Sequence, residues 1–293
     1  MSRRSGILPG MATSIIEALT VPRGPVELSS YDTRATPLFK GGKKDGKTAL
    51  AAMGDELSDL QERLFAEGRS GGTRSVLFVL QGMDTSGKGG LSRHSFALVD
   101  PQGVHITSFK APTKAELRHD FLWRIENQAP HAGFIGVFDR SHYEDVLIAK
   151  VRGLAAEEEI ERRYGAINAF EEKLVESGTV VVKCMLHISA EEQKERLLAR
   201  LDDPSKLWKF NPGDIDERRR WREYQRAYEI ALERTNTEHA PWLIVPSDRK
   251  WYRNLAVASV LREALRHLDP RWPGPDFDVE EQRTRLLKEE PVG

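Results

Sequence analysis

The sequence predicts a three-layer α/β fold in which helices cover both faces of a five-stranded parallel sheet. Five short apolar runs recur along the chain, each rich in β-branched or aromatic residues and too short for a typical helix. They span residues 75–81, 103–109, 133–138, 179–188 and 242–246. Segments with helical spacing separate these runs, and strands that alternate with helices are typical of parallel sheets.

Three segments carry specific helix signals. Residues 48–68 have helical spacing and end at Gly68, which predicts one helix closed by a glycine. Two capping boxes predict the starts of later helices: Ser189 with Glu192, and Asp214 with Glu217. We expect an apolar stripe of the second helix to face the core: Trp221, Tyr224, Tyr228 and Leu232.

The chain of 293 residues is predicted to have three parts. Residues 1–46 carry Gly, Pro, Ser and Lys without sustained periodicity, and we expect an irregular N-terminal arm. Residues 47–268 contain every predicted strand and form the α/β domain. Residues 269–293 form a C-terminal tail, which we interpret as an arm and a candidate oligomer contact.

Composition and charge exclude several classes of protein. Hydrophobic residues make up 39% and charged residues 30% of the chain, as in an ordinary soluble globular protein. No apolar run approaches the roughly 20 residues that cross a membrane, and the N-terminus lacks the apolar core of a signal peptide. The net charge of −1 gives no general attraction to nucleic acid or to a membrane, so we expect neither as a partner.

The single cysteine, Cys184, indicates a reducing compartment. One cysteine forms no internal disulfide, which fits the cytoplasm. It lies within "TVVVKCMLHIS", so we predict a buried strand thiol and a cytoplasmic protein.

The most informative motif follows the first predicted strand and reads "GMDTSGKGG", residues 82–90. It matches G-x-x-x-x-G-K and precedes a predicted helix, the setting in which backbone N–H groups surround a phosphate and Lys88 supplies charge. The less favoured alternative is a glycine-rich turn that binds nothing. The other residues of the predicted phosphate-binding loop are Gly82, Met83, Thr85, Ser86, Gly87, Gly89 and Gly90.

Gly89 occupies the position where such a loop carries Ser or Thr as a magnesium ligand. Asp84 lies inside the loop, where its carboxylate would repel a bare phosphate but could hold a cation between the two. We therefore predict that Asp84 replaces the missing hydroxyl in a magnesium site. The alternative role of Asp84 is that of a turn-forming residue.

A second motif, "FDRSHYEDV", follows the third predicted strand. Asp139 ends the apolar run, at the position of a Walker B acid that holds magnesium through water. Arg140 follows it and is a candidate phosphate contact. Glu144 and Asp145 add two carboxylates, and the sequence leaves open which of the three acids contacts the metal.

A basic segment, residues 201–222, follows the fourth strand and its helix. We predict a mobile lid that closes over several phosphates, because phosphoryl transfer commonly uses cations supplied by a lid. A solvated charged face is the alternative. Arg218 and Arg222 are four residues apart, which predicts that both lie on one face of a helix. The candidate cations in and beside the lid are Arg200, Lys206, Lys209, Arg218 and Arg219.

The second predicted strand leads into "KAPTKAELRHDFLWRIENQAP", which begins at Lys110. Thr113 predicts the start of a helix that carries three cations: Lys114, Arg118 and Arg124. They line either a substrate channel or an ordinary charged helix. The candidate phosphate- or nucleotide-binding residues outside the loop and the lid are Arg93, Lys110 and Arg124.

Four blocks together resemble the second family of polyphosphate kinases. They are "GMDTSGKGG", "FDRSHYEDV", "RLDDPSKLWKFNPGDIDERRRW" and "APWLIVPSDRKWYRN", within a resemblance that covers residues 48–268. The resemblance implies a P-loop kinase fold like that of thymidylate kinases, with a helical lid, and a homo-oligomer, either dimer or tetramer. It also implies reversible phosphoryl transfer between inorganic polyphosphate and adenine nucleotides with Mg²⁺, for which Mn²⁺ can substitute.

Carried over by position, the resemblance makes Asp84 and Lys88 parts of the Walker A site and Asp139 the Walker B acid, with the two aspartates at the metal. Arg140 joins the phosphate-binding set, and Arg200 lies at the start of the lid. A loop ending in "GKGG" or "GKDG" is normal in this family, so the site is expected to be intact. The lid sequence is closer to members that accept AMP as well as ADP, although some of these have Asn where this chain has Asp139.

Two other functions remain open from the sequence. One is an ATP-dependent nucleoside monophosphate or small-molecule kinase of the same fold. The other is a module that binds polyanions such as single-stranded nucleic acid through the basic lid, with Trp208 and Phe210 as candidate stacking residues. The near-neutral total charge counts against this module.

Overall fold

The computed structural model describes residues 14–289 and contains the predicted five-stranded parallel sheet. The strands are β1 (Ser75–Gln81), β2 (Val104–Ser108), β3 (Ile135–Asp139), β4 (Thr179–His187) and β5 (Trp242–Pro246). They lie in the order β2-β3-β1-β4-β5, and all neighbours are parallel.

The α-helices of the described residues lie before, between and after these strands. They are α1 (Ile15–Leu19), α2 (Lys43–Ala51), α3 (Gly54–Arg69), α4 (Lys88–His94), α5 (Trp123–Glu126), α6 (Ile148–Val151), α7 (Glu157–Glu176), α8 (Ala190–Leu201), α9 (Gly213–Arg219), α10 (Trp221–Thr235), α11 (Lys250–Leu268) and α12 (Val279–Lys288). The predicted N-cap Ser189 starts α8, where its hydroxyl accepts the Glu192 N–H.

Helices on both faces of the sheet give the three predicted layers. Phe78 and Leu80 pack on one face with apolar residues of α3, α4 and α11, whereas Leu77 and Val79 pack on the other with residues of α7 and α10. Successive strand residues point to opposite faces, and both faces are covered here. This is why β1, β3, β4 and β5 read as nearly continuous apolar runs, whereas the edge strand β2 is partly exposed.

The order of the strands places two of the predicted motifs side by side. Leu80 near the end of β1 pairs with Asp139 at the end of β3, and Arg140 N–H donates to the Leu80 carbonyl oxygen at 3.2 Å. Ligands of such sheets bind beyond the carboxyl ends of the strands. The glycine-rich loop and the acidic motif therefore meet at the edge where a ligand is expected.

The single helix predicted over residues 48–68 is wrong, because α2 and α3 are separated by a turn in which Met53 is buried. Gly68 is not a C-cap, since α3 continues to Arg69. A Cβ at Gly68 would lie 2.5 Å from the Cα of Gly133, so this glycine permits close backbone packing. Contacts between distant segments decide both features.

The segment predicted as an irregular arm is built into the domain. The Glu263 carboxylate of α11 accepts hydrogen bonds from the backbone N–H groups of Ile15 and Ile16, which caps α1. Val21 N–H donates to the Trp242 carbonyl oxygen at 2.8 Å, at the edge of β5. The first 13 residues of the predicted arm lie outside the described residues.

The C-terminal tail lies on the outside of the domain. Its helix α12 starts at the N-cap Asp278 and has no buried residue. Exposed apolar side chains occur along the tail: Trp272, Phe277, Leu286 and Leu287. The last four residues of the tail lie outside the described residues.

Two predictions about the whole chain can be compared with this structure. Cys184 is fully buried in β4, and burial raises the pKa of its thiol to about 12, which makes it unreactive. Between residues 14 and 289 there is no helix of the length and apolar character needed to cross a membrane.

Candidate active site

The glycine-rich loop connects β1 to α4 and is closed by Lys88. The Lys88 Nζ donates to the carbonyl oxygen of Gly82 at 2.7 Å. Within residues 14–289, the backbone N–H groups of Thr85, Gly87 and Lys88 donate to no protein acceptor. Unpaired N–H groups grouped around a lysine are typical of anion-binding sites.

The loop has a backbone that needs glycine at two positions. Gly82 has φ of 149° and Gly87 has φ of 106°. Added Cβ atoms would lie 2.6 Å from the Leu186 carbonyl oxygen and 1.6 Å from Arg253 Nη1, respectively. Thr85 adopts a left-handed φ of 65° despite its side chain, and such strain is concentrated at functional sites.

Asp139 reaches the place of the missing loop hydroxyl. A Cβ at Gly89 would lie 3.9 Å from Asp139 Oδ2, so the carboxylate lies beside the position where Ser or Thr would present its oxygen. Asp139 is half-buried, and its carboxylate accepts no hydrogen bond from the described part of the chain. Asp139 therefore faces the position at which the loop lacks a hydroxyl.

Asp84 is paired with Arg140 in this structure. Its Oδ1 lies 3.2 Å from Arg140 Nη2. Burial by itself lowers the pKa of the Arg140 guanidinium. The nearby carboxylates have the larger combined effect and raise this pKa above its usual value; they belong to Glu144, Asp84 and Asp139. Arg140 has a left-handed φ of 65°, a second strained residue at the meeting point of the loop and β3.

A cavity of 230 Å³ opens beside this ion pair. Burial raises the pKa of Glu144, an effect partly offset by Arg140 and Lys88. Burial and the charge of Asp84 raise the pKa of Asp214. The cavity is lined by four carboxylates and two arginines, and a bound cation would offset the excess of acidic groups. Its charged and aromatic lining consists of Asp84, Arg140, Glu144, Arg152, Asp214, Glu217, Tyr224 and Tyr228.

Arg200 and Arg218 hold the lid segment, residues 201–222, to the rest of the domain. Arg200 Nη1 donates to the Lys209 carbonyl oxygen at 3.1 Å, and Arg218 Nη1 donates to that of Ala190 at 2.6 Å. Neither side chain lines the cavity. In this conformation both have structural roles at the base of the lid.

The other candidate cations of the lid face solvent. Arg219 and Lys206 are exposed, and Lys209 is half-buried. Exposed ion pairs are weak and exchange readily, so these cations remain available to a large anion. Their present neighbours all belong to the lid: Asp203 for Lys206, Trp208 for Lys209 and Asp216 for Arg219.

A second cavity, of 420 Å³, lies at the carboxyl end of β2. Arg124 lines it, donates to the Lys110 carbonyl oxygen at 2.7 Å, and lies 5.6 Å from the centroid of the Phe109 ring. Trp123 and Lys110 are exposed at the same cavity. Arg93 is exposed on α4 and lines neither cavity.

Comparison with known proteins identifies the family. Residues 40–272 match the family described as Polyphosphate kinase 2 (PPK2). The chain belongs to the polyphosphate kinase 2 family. It is similar to the AMP/ADP-polyphosphate phosphotransferase of Meiothermus ruber, with 45% identity over 255 residues that cover 87% of this chain and 94% of that one. It is also similar to the ADP-polyphosphate phosphotransferase of Rhodopseudomonas palustris, with 39% identity over 260 residues that cover 85% of this chain and 88% of that one.

A solved structure of the polyphosphate kinase 2 family confirms the fold. The crystal structure of Polyphosphate Kinase 2 from Arthrobacter aurescens TC1 superposes with a TM-score of 0.92 and 53% identity, covering 95% of this chain and 98% of that one. The predicted P-loop kinase fold is therefore confirmed.

The prediction that a capping box of Asp214 and Glu217 starts one long helix is wrong. α9 begins one residue before Asp214, and Arg220 separates α9 from α10. Asp214 and Glu217 instead point into the first cavity. The break also places Arg218 and Arg222 on different helices, so the prediction that they share one helical face is wrong.

The helix predicted from Thr113 is also wrong. Thr113 and Glu116 do exchange hydrogen bonds between side chain and backbone, but only a 3-10 turn, Glu116–Arg118, follows them. Arg124 lies on the separate short helix α5. The three predicted cations therefore do not share a helix, and only Arg124 lines a cavity.

Asp145 is the structural acid of the FDRSHYEDV motif. It lies 3.8 Å from Arg124 and 3.7 Å from Arg163, which places it in an ion-pair network behind the second cavity. His142 Nε2 lies 3.2 Å from the fully buried Glu171 and is a packing residue. Asp139 and Glu144 are the acids of this polyphosphate kinase 2 motif that face the loop.

Sequence reasoning missed three residues that contact the loop. Tyr228 lies in the predicted apolar stripe and is buried, but its hydroxyl also accepts the Gly82 N–H at 3.2 Å. Arg196 and Arg253 donate to carbonyl oxygens of the loop from behind. A tyrosine in a stripe and arginines in helices carry no local signal of such contacts.

Proposed function

We propose that the protein transfers phosphoryl groups reversibly between inorganic polyphosphate and nucleoside phosphates, from polyphosphate to ADP and also to AMP. The observation that carries the proposal is the position of Asp139 beside Gly89, which supplies a carboxylate where the loop lacks its hydroxyl. The phosphate-binding loop is thus complete in another form. The names of the relatives from Meiothermus ruber and Rhodopseudomonas palustris support the same donor and acceptors.

Polyphosphate as the donor explains the arrangement of the cations. Its inner residues each carry one negative charge, and it has no base or sugar to recognise. A row of positive groups therefore suits it better than a shaped pocket. Lys88 and the exposed cations of the lid, Lys206 and Arg219, would provide such groups.

The reaction is an in-line displacement at the terminal phosphorus of the donor. An oxygen of the nucleotide phosphate forms a bond to that phosphorus as the bond to the bridging oxygen of polyphosphate breaks. The attacking oxygen is already ionised, so the reaction needs no general base. Lys88, Arg140 and the unpaired loop N–H groups orient the phosphates and stabilise the charge that spreads over them.

The acids beside the loop fit a magnesium ion that shares its coordination with substrate. No cluster of three or more His, Cys, Asp or Glu side chains suited to a metal occurs between residues 14 and 289. Mg²⁺ typically binds one or two carboxylates together with substrate phosphates and water. Asp139 would hold it, with Asp84 joining when Arg140 turns to the substrate. The bound ion would neutralise phosphate charge, and Mn²⁺ is expected to replace it.

The second cavity is the best candidate for the acceptor nucleotide. Arg124 and Lys110 offer charge for phosphates, and the exposed Trp123 offers an aromatic surface. The cavity lies at the end of β2, whose last residue, Ser108, pairs with Asp139. A nucleotide bound there would direct its phosphates toward the loop.

The alternatives from the sequence are less favoured. An ATP-dependent kinase of the same fold, or a module that only binds polyanions, would not be expected among relatives whose names describe polyphosphate phosphotransferases. We propose further that the protein acts in the cytoplasm as a homo-oligomer, with the exposed apolar tail as the contact. Light scattering of the purified protein would measure its size.

A donor test with purified protein and Mg²⁺ examines the proposed function. ADP and AMP are offered separately with polyphosphate, and ATP is tried as donor in parallel. We expect ATP from ADP and ADP from AMP, both dependent on polyphosphate. If polyphosphate has no effect and only ATP acts as donor, the result would support the ATP-dependent kinase instead.

A further inference from the structure

Two buried arginines lie directly behind the phosphate-binding loop. Arg196 of α8 and Arg253 of α11 are only 6% and 3% exposed. Arg196 Nη1 donates to the carbonyl oxygens of Thr85 and Ser86 at 2.8 and 3.1 Å, and Arg253 Nη1 donates to that of Ser86 at 2.9 Å. Two guanidiniums therefore share one loop carbonyl.

The two arginines differ in how their charge is balanced. Arg196 forms an ion pair of 2.7 Å with Glu192. Arg253 has no carboxylate partner between residues 14 and 289, and its other acceptor is the neutral amide oxygen of Asn254 at 2.7 Å. Burial, together with the charge of Arg196, lowers the pKa of Arg253 to about 9. A buried cation without a counter-charge is costly and calls for a reason.

The contact with Ser86 also fixes the orientation of the following amide. In a trans peptide the C=O and the next N–H point in opposite directions. Because Arg253 holds the Ser86 carbonyl oxygen behind the loop, the Gly87 N–H points away from Arg253. This N–H is one of the loop donors without a protein acceptor among the described residues. Gly87 has no Cβ, which is what lets the guanidinium approach so closely.

We propose that Arg253 is a positioning residue for the polyphosphate donor, acting through the loop. It turns the Gly87 N–H toward the phosphate site, and its buried charge is balanced by the phosphates when the donor binds. This inference rests on the proposed function, because it assigns the loop side of the site to polyphosphate. It adds a residue from the far end of the chain to the recognition of the donor.

The test compares Arg253→Met and Arg253→Lys with the wild-type enzyme. Arg253→Met removes the charge and the hydrogen bonds at similar length, whereas Arg253→Lys keeps the charge and loses the paired donors. Arg266→Met is the matched control, since Arg266 is exposed on the same helix and pairs with Glu56. The readouts are KM for polyphosphate at saturating ADP, KM for ADP at saturating polyphosphate, kcat, and Tm with and without polyphosphate.

We expect Arg253→Met to raise KM for polyphosphate about tenfold while KM for ADP changes less than about twofold, because the charge acts on donor binding alone. Arg253→Lys should raise KM for polyphosphate about threefold. The rise in Tm caused by polyphosphate should shrink in the same order, and Arg266→Met should match wild type.

A folded Arg253→Met variant with lower kcat but an unchanged KM for polyphosphate would overturn the proposal, since it would show that Arg253 does not act on donor binding. If Arg253→Met does not fold, Arg253→Lys decides, and an unchanged KM for polyphosphate then overturns it. A wild-type enzyme that uses only ATP as donor would reject the proposed function instead. The arginine would then be tested by the same variants through KM for ATP.

Discussion

Neighbouring residues of the loop between β1 and α4 make different contacts, and we expect them to have separate tasks in phosphate binding. Lys88 closes the loop on Gly82, while Gly87 gives Arg253 access to the backbone. Gly89 lies opposite the carboxylate of Asp139. Because each task belongs to a different atom, single substitutions should separate them.

Removing Lys88 or Asp84 should abolish phosphoryl transfer and leave the fold intact. Lys88→Ala removes the charge nearest the unpaired loop N–H groups, and Asp84→Ala removes the partner of Arg140. We expect kcat/KM to fall by at least about 10²-fold in each. ATP formation from ADP and polyphosphate measures the effect, with circular dichroism for the fold and Lys194→Ala, on the exposed face of α8, as control. Near-normal turnover in either folded variant would show that the site is assigned wrongly.

Two alanine substitutions in the same loop should have opposite outcomes. At Gly87 a Cβ would lie 1.6 Å from Arg253 Nη1, on a backbone with φ of 106°, whereas at Gly89 the nearest atom is 3.9 Å away. Gly87→Ala should therefore lower the free energy of unfolding by about 3 kcal/mol. Gly89→Ala should leave it unchanged within about 0.5 kcal/mol. Urea unfolding measures both, and equal losses would contradict the contact between Arg253 and the loop.

The stability of Glu144→Gln relative to wild type should depend on pH. Burial raises the pKa of Glu144 in the folded protein above that of the unfolded chain. Between these two pKa values the folded protein binds the extra proton, so wild-type stability falls as pH rises through this window. Glutamine avoids this loss. Its Tm should exceed that of wild type at neutral pH, and the difference should vanish near pH 4; a difference independent of pH would rule out a buried, titrating Glu144.

At the scale of elements, the one long helix predicted from Asp214 is two helices, α9 within the lid and α10 after it. Arg220 separates α9 from α10, and the break turns Asp214 and Glu217 of α9 toward the first cavity. The same helix presents Arg219 to solvent. A short helix with acids inside and a cation outside can bring positive charge to a polyanion without bringing it into the acidic cavity.

Arg219→Ala should weaken polyphosphate binding and reduce its dependence on salt. The exposed ion pair with Asp216 contributes little to stability, so Tm should not change. We expect KM for polyphosphate to rise about threefold and the slope of log KM against log salt to become shallower, because one screened contact is lost. Arg226→Ala, an exposed arginine of α10, is the matched control. An unchanged slope would mean that this lid cation does not contact the donor.

At the scale of the whole molecule, the two ends of the described chain differ in their attachment. The N-terminal segment buries five apolar side chains and is held by Glu263 and β5. These side chains are Ile15, Leu19, Val21, Val26 and Leu28. The tail helix α12 buries none. The domain therefore includes the first segment, and the tail is an appendage in the single chain.

Two truncations should report this difference. Deletion of residues 1–30 should lower Tm by more than about 8 °C, because the buried apolar area of five core side chains is lost. A stop after residue 276 should lower Tm and reduce the particle size together, because it removes the exposed apolar tail that we propose as the contact between subunits. Thermal unfolding together with light scattering measures both. A large loss of Tm with a smaller particle in the second truncation would identify the tail as an oligomer contact, whereas a loss at constant size would show that the tail packs on its own domain.

The sequence by itself determined the parallel sheet, the glycine-rich loop after β1 and the acid at the end of β3. Their signals are local: apolar runs of strand length, the spacing of glycines around Lys88, and the position of Asp139 directly after a strand. The family follows from the same blocks, since four short stretches in a fixed order are far more specific than the loop alone. The predicted fold and family were confirmed for this reason.

Only the tertiary structure decided the rest. Asp139 at the end of β3 lies close to Gly89 of α4. Arg253 contacts Ser86, which lies 167 positions away in the sequence. The break at Arg220 and the packing of the N-terminal segment likewise depend on distant partners. Spacing along a chain records periodicity within one element, whereas these features arise where different elements meet, and there the geometry of packing decides.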